Sequence, residues 1–235
     1  EKIVHAILES KGRVIVTGIG KSAIIAQKIV ATFNSTGTPA IFMHAADAVH
    51  GDLGMIQKDD IVICISKSGN TPEIKLLAPL LKHSGNLLIG MIGAIDSDLA
   101  KQADLILNTT VEKEACPHNL APTTSTTAQL ALGDALAICL LEARDFNSTD
   151  FARYHPGGSL GKRLYLKAGD IAAKNDKPSI SPNASVKDVI IEISKNRLGA
   201  VVVIDNGDIL GIITDGDIRR MLENYTNIEN IKAVD

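Results

Sequence analysis

The chain has 235 residues, of which 45% are hydrophobic and 22% charged, so it can bury a sizeable core as one large domain or as a medium and a small one. The formal net charge of −3, the 3% aromatic content and the absence of Trp argue against nucleic-acid binding. No apolar run approaches the roughly 20 residues of a transmembrane helix, and the first residues do not resemble a signal peptide. We therefore expect a cytoplasmic protein without a membrane or nucleic-acid partner. Three cysteines without metal-ligand spacing argue against a disulfide framework and a zinc finger.

Strand-like apolar runs alternate with helical patterns before residue 144. Continuous apolar runs are typical of strands covered on both faces, and alternation with helices predicts a parallel sheet with right-handed crossovers. We expect the run TTSTT to cap the long last helix. The predicted strands are 13–17, 40–44, 61–65, 87–92 and 104–109, and the predicted helices are 22–33, 73–83, 97–103 and 125–143.

The pattern changes after HPGGSLGKR, residues 155–163. A helix is predicted at 185–196, and two strands follow that are joined at Asn206-Gly207, a dipeptide typical of a type I′ hairpin turn. A last helix is predicted at 215–225. We place the domain boundary at 165/166, which leaves an α/β domain at 1–165 and a small α+β unit at 166–235. The second unit is short for an independent domain, so we expect it to need a partner surface.

The segment 61–73, IVICISKSGNTPE, places three hydroxyls and a glycine between a buried strand and the start of a helix. Ser66, Ser68 and Thr71 can donate hydrogen bonds to a phosphate monoester, the backbone at Gly69 can approach it, and the helix N-terminus favours an anion. The alternative is an ordinary strand–helix turn with Thr71 as N-cap and Pro72 as the first helical residue.

Gly18-Ile19-Gly20-Lys21-Ser22 follows the first strand. It is not a P-loop, because position 15 is Ile where that motif needs Gly. It matches a dinucleotide fingerprint weakly, since the acidic residue expected at the end of the second strand is missing. A tight turn that needs Gly is the other interpretation. Lys21 could neutralise a phosphate or a developing oxyanion.

Glu73 and Glu114 are the candidate acid/base carboxylates. Glu73 also suits the first turn of a helix on electrostatic grounds alone, but a carboxylate beside a phosphate loop is suited to proton transfer. His50 and His155 lie in predicted loops, where a histidine is either exposed or functional. His44 and His50 match no standard zinc spacing.

Seven motifs occur in an order that resembles the arabinose-5-phosphate isomerase family, which has a sugar isomerase (SIS) domain followed by paired CBS domains. The resemblance covers nearly the whole chain. It implies a doubly wound, five-stranded parallel sheet of flavodoxin-like type, followed by a small α+β CBS repeat. It also implies interconversion of D-arabinose 5-phosphate and D-ribulose 5-phosphate through an enediol(ate), which supplies synthesis of Kdo for lipopolysaccharide or capsule. The motifs are GIGKS, NSTGTP, HGDLGM, ISKSGNTPE, KEACPHNLAPTTSTT, LGDALA and HPGGSLGK.

The resemblance also implies that the catalytically important residues are Lys21, Glu73, Glu114 and His155, and we assign their individual roles as a hypothesis. Glu114 would shuttle the proton, His155 would open the sugar ring, and Lys21 would stabilise the oxyanion. Glu73 would orient the substrate or assist proton transfer. His44 matches a position linked with inhibitory binding of a divalent metal such as zinc, and no cofactor is required. The implied substrate-binding residues are Ser22, Gly37, Thr38, His50, Ser66, Ser68, Gly69 and Thr71.

Two features depart from the family pattern. Lys67 stands where relatives often have Asn, and it would either tighten phosphate binding or point to solvent. Only one CBS repeat is present, so the nucleotide or nucleotide-sugar cleft of a paired module, with Thr214 and Asp217 at its contact positions, cannot form within this chain alone. The family also implies a homotetramer in which residues such as His155 reach a neighbouring site.

Other functions remain open from the sequence. Another SIS isomerase for a different sugar phosphate would share these motifs, because pocket shape sets the substrate length. A non-catalytic sugar-phosphate regulator would keep the phosphate loop but would not need Lys21, Glu114 and His155. The presence of all three favours the enzyme.

Overall fold

The computed structural model describes all 235 residues, which divide into two compact units, Glu1–Tyr165 and Leu166–Asp235. The first unit contains five parallel strands in the order β2-β1-β3-β4-β5. They are β1 Val14–Gly18, β2 Ala40–His44, β3 Ile61–Ser66, β4 Leu88–Ile92 and β5 Leu105–Asn108. The predicted α/β class and all five strands are confirmed.

Helices cover both faces of this sheet. The first unit has eight α-helices, and a 3₁₀ turn at Asp52–Met55. They are α1 Lys2–Glu9, α2 Lys21–Ser35, α3 Ala45–Ala48, α4 Pro72–His83, α5 Asp98–Gln102, α6 Thr124–Ala143, α7 Ser148–Tyr154 and α8 Ser159–Tyr165.

Alternate residues of the central strands belong to two separate hydrophobic cores, one on each face of the sheet. Ile63 belongs to the core that includes residues of α1, α2 and α6, whereas Val62 and Cys64 belong to the core that includes residues of α3, α4 and α5. This arrangement follows from the continuous apolar run, since neighbouring side chains of a strand point to opposite faces. The sheet is therefore doubly wound, as predicted.

The helix α6 corrects one expectation. By length and composition alone its 20 residues could cross a membrane, although no segment was expected to approach that length. Its buried residues Leu136, Ala137 and Leu140 pack in the same core as Phe33 of α2. Burial of this face against α2 accounts for part of its apolar composition, since 33% of its most apolar window is buried.

The second unit has a three-stranded sheet in the order β6-β7-β8. Its strands are β6 Ser179–Ile180, β7 Ala200–Asp205 and β8 Asp208–Thr214, and its helices are α9 Ala168–Ala172, α10 Val186–Asn196 and α11 Asp215–Asn224. The strands β7 and β8 are antiparallel, and Asn206 and Gly207 between them have φ values of 48° and 95°. Positive φ at both turn positions is what a type I′ turn requires, so the predicted hairpin is confirmed.

Candidate active site

A pocket of about 290 Å³ lies at the carboxyl ends of β1 and β3. The chain leaves β1 towards β2 on one side and leaves β3 towards β4 on the other. This is the topological switch point, where open α/β sheets bind ligands. Its lining residues are Ile19, Lys21, Ser22, Ile65, Ser66, Lys67, Ser68, Thr71, Pro122, Ser125, Thr126 and Gln129.

The predicted phosphate loop, residues 66–71, forms one wall of this pocket. The hydroxyl of Ser66 accepts a hydrogen bond from the backbone N–H of Gly69 at 3.0 Å. Gly69 has φ +63°, and a Cβ built on it would lie 2.6 Å from the Cβ of Ser97. Only glycine fits this position, because both the backbone conformation and the contact with Ser97 exclude a side chain.

Thr71 is the N-cap of α4, but its side chain makes no capping hydrogen bond. Its hydroxyl is buried and has no hydrogen-bond partner. A buried hydroxyl is costly unless it is paired. Thr71 lines the pocket, and its hydroxyl is not used as a cap, which favours the phosphate-loop interpretation over the simple cap.

The N-terminus of α2 forms the opposite wall. Gly20 precedes it with φ +60°, and Lys21 is its first residue. Lys21 is exposed and makes no ion pair within the protein. The hydroxyl of Ser22 lies 3.4 Å from the amide oxygen of Gln129, a buried residue of α6. The pocket therefore presents a free ammonium and a helix N-terminus on the same side.

Glu114 is buried beneath this pocket, with no exposed side-chain surface. Its carboxylate accepts hydrogen bonds from the backbone N–H groups of Thr123 and Ser125 at 2.8 and 3.1 Å, and from the hydroxyl of Ser125 at 2.5 Å. Its Oε1 atom also lies 2.6 Å from the ammonium of Lys67. Thr123 provides no side-chain cap for α6, so the carboxylate of Glu114 performs the capping that was expected of TTSTT.

These contacts affect the acidity of Glu114. Burial would raise its pKa, but the hydrogen bonds from Lys67, Ser125 and the N–H of Thr123 outweigh burial and hold the pKa well below the usual range of a glutamic acid. A general base needs a pKa near the working pH and a free lone pair. The geometry therefore does not favour Glu114 as the proton-shuttling base.

Glu73 is the second residue of α4 and directly follows Pro72. It is partly exposed, and its carboxylate makes no ion pair or hydrogen bond with another side chain. Its lone pairs are therefore free of protein partners. Glu73 follows the predicted phosphate loop along the chain but does not itself line the pocket. Of the two predicted carboxylates, it is the one whose contacts fit proton transfer.

Two predicted substrate-binding residues lie at the opposite edge of the sheet from the pocket, where the amino ends of the strands are. Gly37 and Thr38 precede β2, and Arg144, just after α6, donates to the carbonyl of Gly37 at 3.1 Å and to the hydroxyl of Thr38. The helix α2 separates Lys21 from this region and is about 22 Å long at 1.5 Å per residue. One copy of the chain does not bring these residues to the pocket.

His155 also belongs to this second group. Its ring stacks on Phe151 with centroids 3.8 Å apart, and its Nδ1 atom lies 2.9 Å from the carbonyl oxygen of Phe151. The preceding residue, Tyr154, stacks on Phe146. Since the rings of Phe146 and Tyr154 are the nearest groups to a Cβ built on Gly37, His155 lies near the Gly37 edge of the sheet.

The two remaining predicted histidines follow β2. The Nδ1 atom of His44 is buried without a hydrogen-bond partner and lies 3.7 Å from the carboxylate of Asp47. His50 is exposed, in the turn after α3. No group of three metal-ligating side chains occurs in the chain, so the inhibitory metal at His44 stays a prediction.

In the second unit, Thr214 and Asp217 form a capping box at the start of α11. The hydroxyl of Thr214 donates to the carboxylate of Asp217 at 2.7 Å, and the N–H of Asp217 donates back at 3.3 Å. Asp217 also lines a cavity of about 410 Å³ together with Ile213, Met221 and Lys232. The contact of Thr214 and Asp217 with a nucleotide stays a prediction.

Sequence reasoning missed Ser125, Gln129 and Arg144. Ser125 lay within a run interpreted only as a helix cap, although a hydroxyl there could have been considered as a partner for Glu114. Gln129 lies between two motifs of α6, and Arg144 directly follows that helix, so no local signal could have identified them.

Comparison with known proteins agrees with this geometry. The SIS domain family model matches residues 7–139, and the CBS domain model matches residues 168–224. A Pseudomonas aeruginosa protein named arabinose 5-phosphate isomerase KdsD is 49% identical over 232 residues, which is 98% of this chain and 71% of that protein. The chain belongs to the arabinose 5-phosphate isomerase family.

Two further relatives support this assignment. A Haemophilus influenzae protein named probable arabinose 5-phosphate isomerase is 49% identical over 94% of this chain. The chain spans 65% of the length of that relative. The structure of an Escherichia coli CFT073 protein in complex with arabinose 5-phosphate matches with a TM-score of 0.64 and 47% identity, over 66% of this chain and 82% of that one. The expected family and fold are thereby confirmed.

Proposed function

We propose that this chain interconverts D-arabinose 5-phosphate and D-ribulose 5-phosphate. The observation that supports it most is the switch-point pocket of about 290 Å³, which is lined by Thr71, whose hydroxyl has no protein partner, and by Lys21, which makes no ion pair. This pocket occurs in a chain that is 49% identical to a protein named arabinose 5-phosphate isomerase. Use of D-arabinose 5-phosphate, formed in the reverse direction, in Kdo synthesis is implied by the family resemblance.

The phosphate of the substrate binds in the loop 66–71. Ser66, Ser68 and Thr71 line the pocket at the N-terminus of α4, where hydroxyl donors and the positive end of the helix dipole favour an anion. Binding the phosphate remote from C1 and C2 holds the reacting carbons in a fixed position, which lowers the entropic part of the barrier.

The reaction moves one proton from C2 to C1 and a second from the C2 hydroxyl to the C1 oxygen. A base removes the proton from C2 of the open-chain aldose, and the enediolate carries the negative charge on the C1 oxygen until that oxygen is protonated. The proton on the base then returns to C1 as the C2 hydroxyl loses its proton, which gives the ketose. We assign the proton transfer to Glu73, whose carboxylate is free of protein hydrogen bonds, and the stabilisation of the oxyanion to Lys21. Glu114 acts through α6 and Lys67 as a positioning residue.

Ring opening is assigned to His155 of a second copy of the chain. His155, Gly37 and Thr38 belong to the opposite edge of the sheet, about 22 Å away along α2. A symmetric assembly in which this edge of one subunit adjoins the pocket of its neighbour would complete the site. This requirement supports an oligomer of at least two copies. The expected homotetramer, a nucleotide or nucleotide-sugar effector at the CBS unit and a cytoplasmic location remain part of the proposal.

Incubation of the chain with arabinose 5-phosphate, with a colorimetric assay for ketose formation, tests the proposal. Ribose 5-phosphate, the C2 epimer, and glucose 6-phosphate are the matched comparison substrates. We expect ketose to form only from arabinose 5-phosphate, or to form from it far faster than from the two comparison substrates. Faster conversion of the hexose phosphate would assign the chain to another isomerase, and no conversion of any of them would favour a sugar-phosphate regulator.

A further inference from the structure

Lys67 lies between the phosphate loop and the buried carboxylate beneath it. It follows Ser66, the last residue of β3, and lines the same pocket as Ser68 and Thr71. Its side chain is 45% exposed, so the ammonium is accessible to a molecule in the pocket. Its contact with Glu114 links the phosphate loop to the N-terminus of α6.

The ammonium of Lys67 has more donors than it uses. A lysine ammonium has three N–H donors, and the one protein acceptor of Lys67 is the Oε1 atom of Glu114 at 2.6 Å. Two donors therefore remain for a ligand. Because Glu114 restrains the ammonium, these donors are held at the pocket, and a bound phosphate would not have to order a flexible side chain.

A cation at this position also offsets the negative charge of Glu114. Glu114 has no exposed side-chain surface and is held ionised by Ser125 and the N–H of Thr123. A buried negative charge close to the phosphate loop would repel a phosphate dianion, since charges interact strongly where water is excluded. Lys67 neutralises that carboxylate and still offers two N–H donors to the incoming anion.

We infer that Lys67 is a phosphate-binding residue of this pocket, held in position by Glu114. This inference deepens the proposed function, on which it rests, by assigning the phosphate of the substrate a cationic ligand in addition to the loop hydroxyls. Hydrogen bonds to charged groups contribute about 1.5–3 kcal/mol, and each 1.4 kcal/mol is a factor of about ten in Kd. Loss of Lys67 should therefore weaken phosphate binding about 10- to 100-fold.

Isothermal titration calorimetry of the full chain with inorganic phosphate and with arabinose 5-phosphate tests this assignment. Binding of inorganic phosphate does not depend on turnover, so the result stands whether or not the chain is an isomerase. We expect Lys67→Met to raise Kd for both ligands about 10- to 100-fold and Lys67→Arg to restore most of the affinity. Lys75→Met is the matched control, because Lys75 pairs with Asp98 and does not line the pocket.

Lys67→Met also leaves Glu114 as an unpaired buried carboxylate, which would destabilise the fold. The deciding comparison is therefore between Glu114→Gln and the double variant Glu114→Gln with Lys67→Met, where no buried charge remains. A Kd at least about 10-fold higher in the double variant supports a direct contact between Lys67 and phosphate. Equal affinity of these two variants would show that Lys67 is only the counter-ion of Glu114 and would overturn the inference.

Discussion

The hydroxyl of Ser125 donates a hydrogen bond of 2.5 Å to the carboxylate of Glu114, and both side chains are buried. The N–H of Ser125 donates to the same carboxylate at 3.1 Å. Glu114 thus satisfies N–H groups of the first turn of α6, which have no partner within the helix. This contact joins the segment after β5 to the helix that contributes Ser125, Thr126 and Gln129 to the pocket.

The first prediction concerns the pH dependence of stability. Burial opposes ionisation of Glu114, but Lys67, Ser125 and the N–H of Thr123 outweigh it, so the pKa of the folded state is lowered. The ionised carboxylate therefore stabilises the fold above its unfolded pKa of about 4.3, and this stabilisation is lost as the pH falls below that value. Urea unfolding of wild type and Glu114→Gln at about pH 7 and about pH 3.5 measures the effect.

We expect Glu114→Gln to be less stable than wild type at neutral pH and to lose less free energy of unfolding on acidification. Other acidic groups titrate in both proteins, so the difference between the two pH profiles reports on Glu114. Parallel profiles would contradict the assignment of a lowered pKa to this residue.

The second prediction compares two buried threonine hydroxyls. The hydroxyls of Thr71 and Thr17 both lack a hydrogen-bond partner, but only Thr71 lines the pocket. Thr71→Val should raise KM for arabinose 5-phosphate about 10-fold, because a donor to the phosphate is lost. Thr17→Val keeps the shape and removes an unpaired polar group, so it should leave KM unchanged and stability equal or higher. Steady-state kinetics and thermal unfolding of both variants test this, and an equal effect on KM would contradict it.

The third prediction concerns Gly69. Gly69→Ala places a Cβ 2.6 Å from the Cβ of Ser97 and requires φ +63°, which L-residues rarely adopt. Gly85 has φ +81° and no atom within 4 Å of a Cβ added to it, so Gly85→Ala is a control with backbone strain alone. Gly69→Ala should weaken phosphate binding, whereas Gly85→Ala should cost about 1 kcal/mol of stability without affecting binding. Calorimetric titration with phosphate and urea unfolding separate these effects.

The fourth prediction tests whether subunits share the site. Lys21→Met and His155→Ala, each inactive alone, would remove residues at opposite edges of the sheet. If the site is completed between two copies, random mixing by co-expression should restore about a quarter of the wild-type activity, because half of the dimers contain one intact site of two. Co-expression of Lys21→Met with a second copy of Lys21→Met is the control and should restore no activity. Failure of the mixed protein to recover activity would place the full site within one chain.

The sequence predicted the sheet well because its strands are continuous apolar runs between glycine-containing turns. Segment 61–73 also predicted a loop that the structure places at the pocket, since its hydroxyls, Gly69 and the start of α4 are consecutive along the chain. Strand order, which places β1 beside β3, then brings Lys21 and Ser66 to one pocket.

The interaction of Lys67 with Glu114 could not be predicted, because it joins segments that follow β3 and β5 and depends on side-chain conformation. The position of Gly37 and Thr38 could have been deduced. They precede β2, and in a parallel sheet residues that precede a strand lie at the edge opposite to those that follow it. Their resemblance to substrate-contacting residues therefore predicts a second subunit rather than a nearer position in the same chain.

Deuterium incorporation during turnover tests the central claim most directly. In deuterated water, an enediolate mechanism with a solvent-exchanging base predicts ribulose 5-phosphate that contains deuterium at C1 and recovered arabinose 5-phosphate that contains deuterium at C2, both visible by NMR. The Glu73→Gln variant should reduce both product formation and exchange about 10²–10⁴-fold, whereas Glu112→Gln, an exposed acid outside the pocket, should not. Neither product nor exchange from wild type would contradict the isomerase assignment, and undiminished exchange by Glu73→Gln would contradict Glu73 as the base.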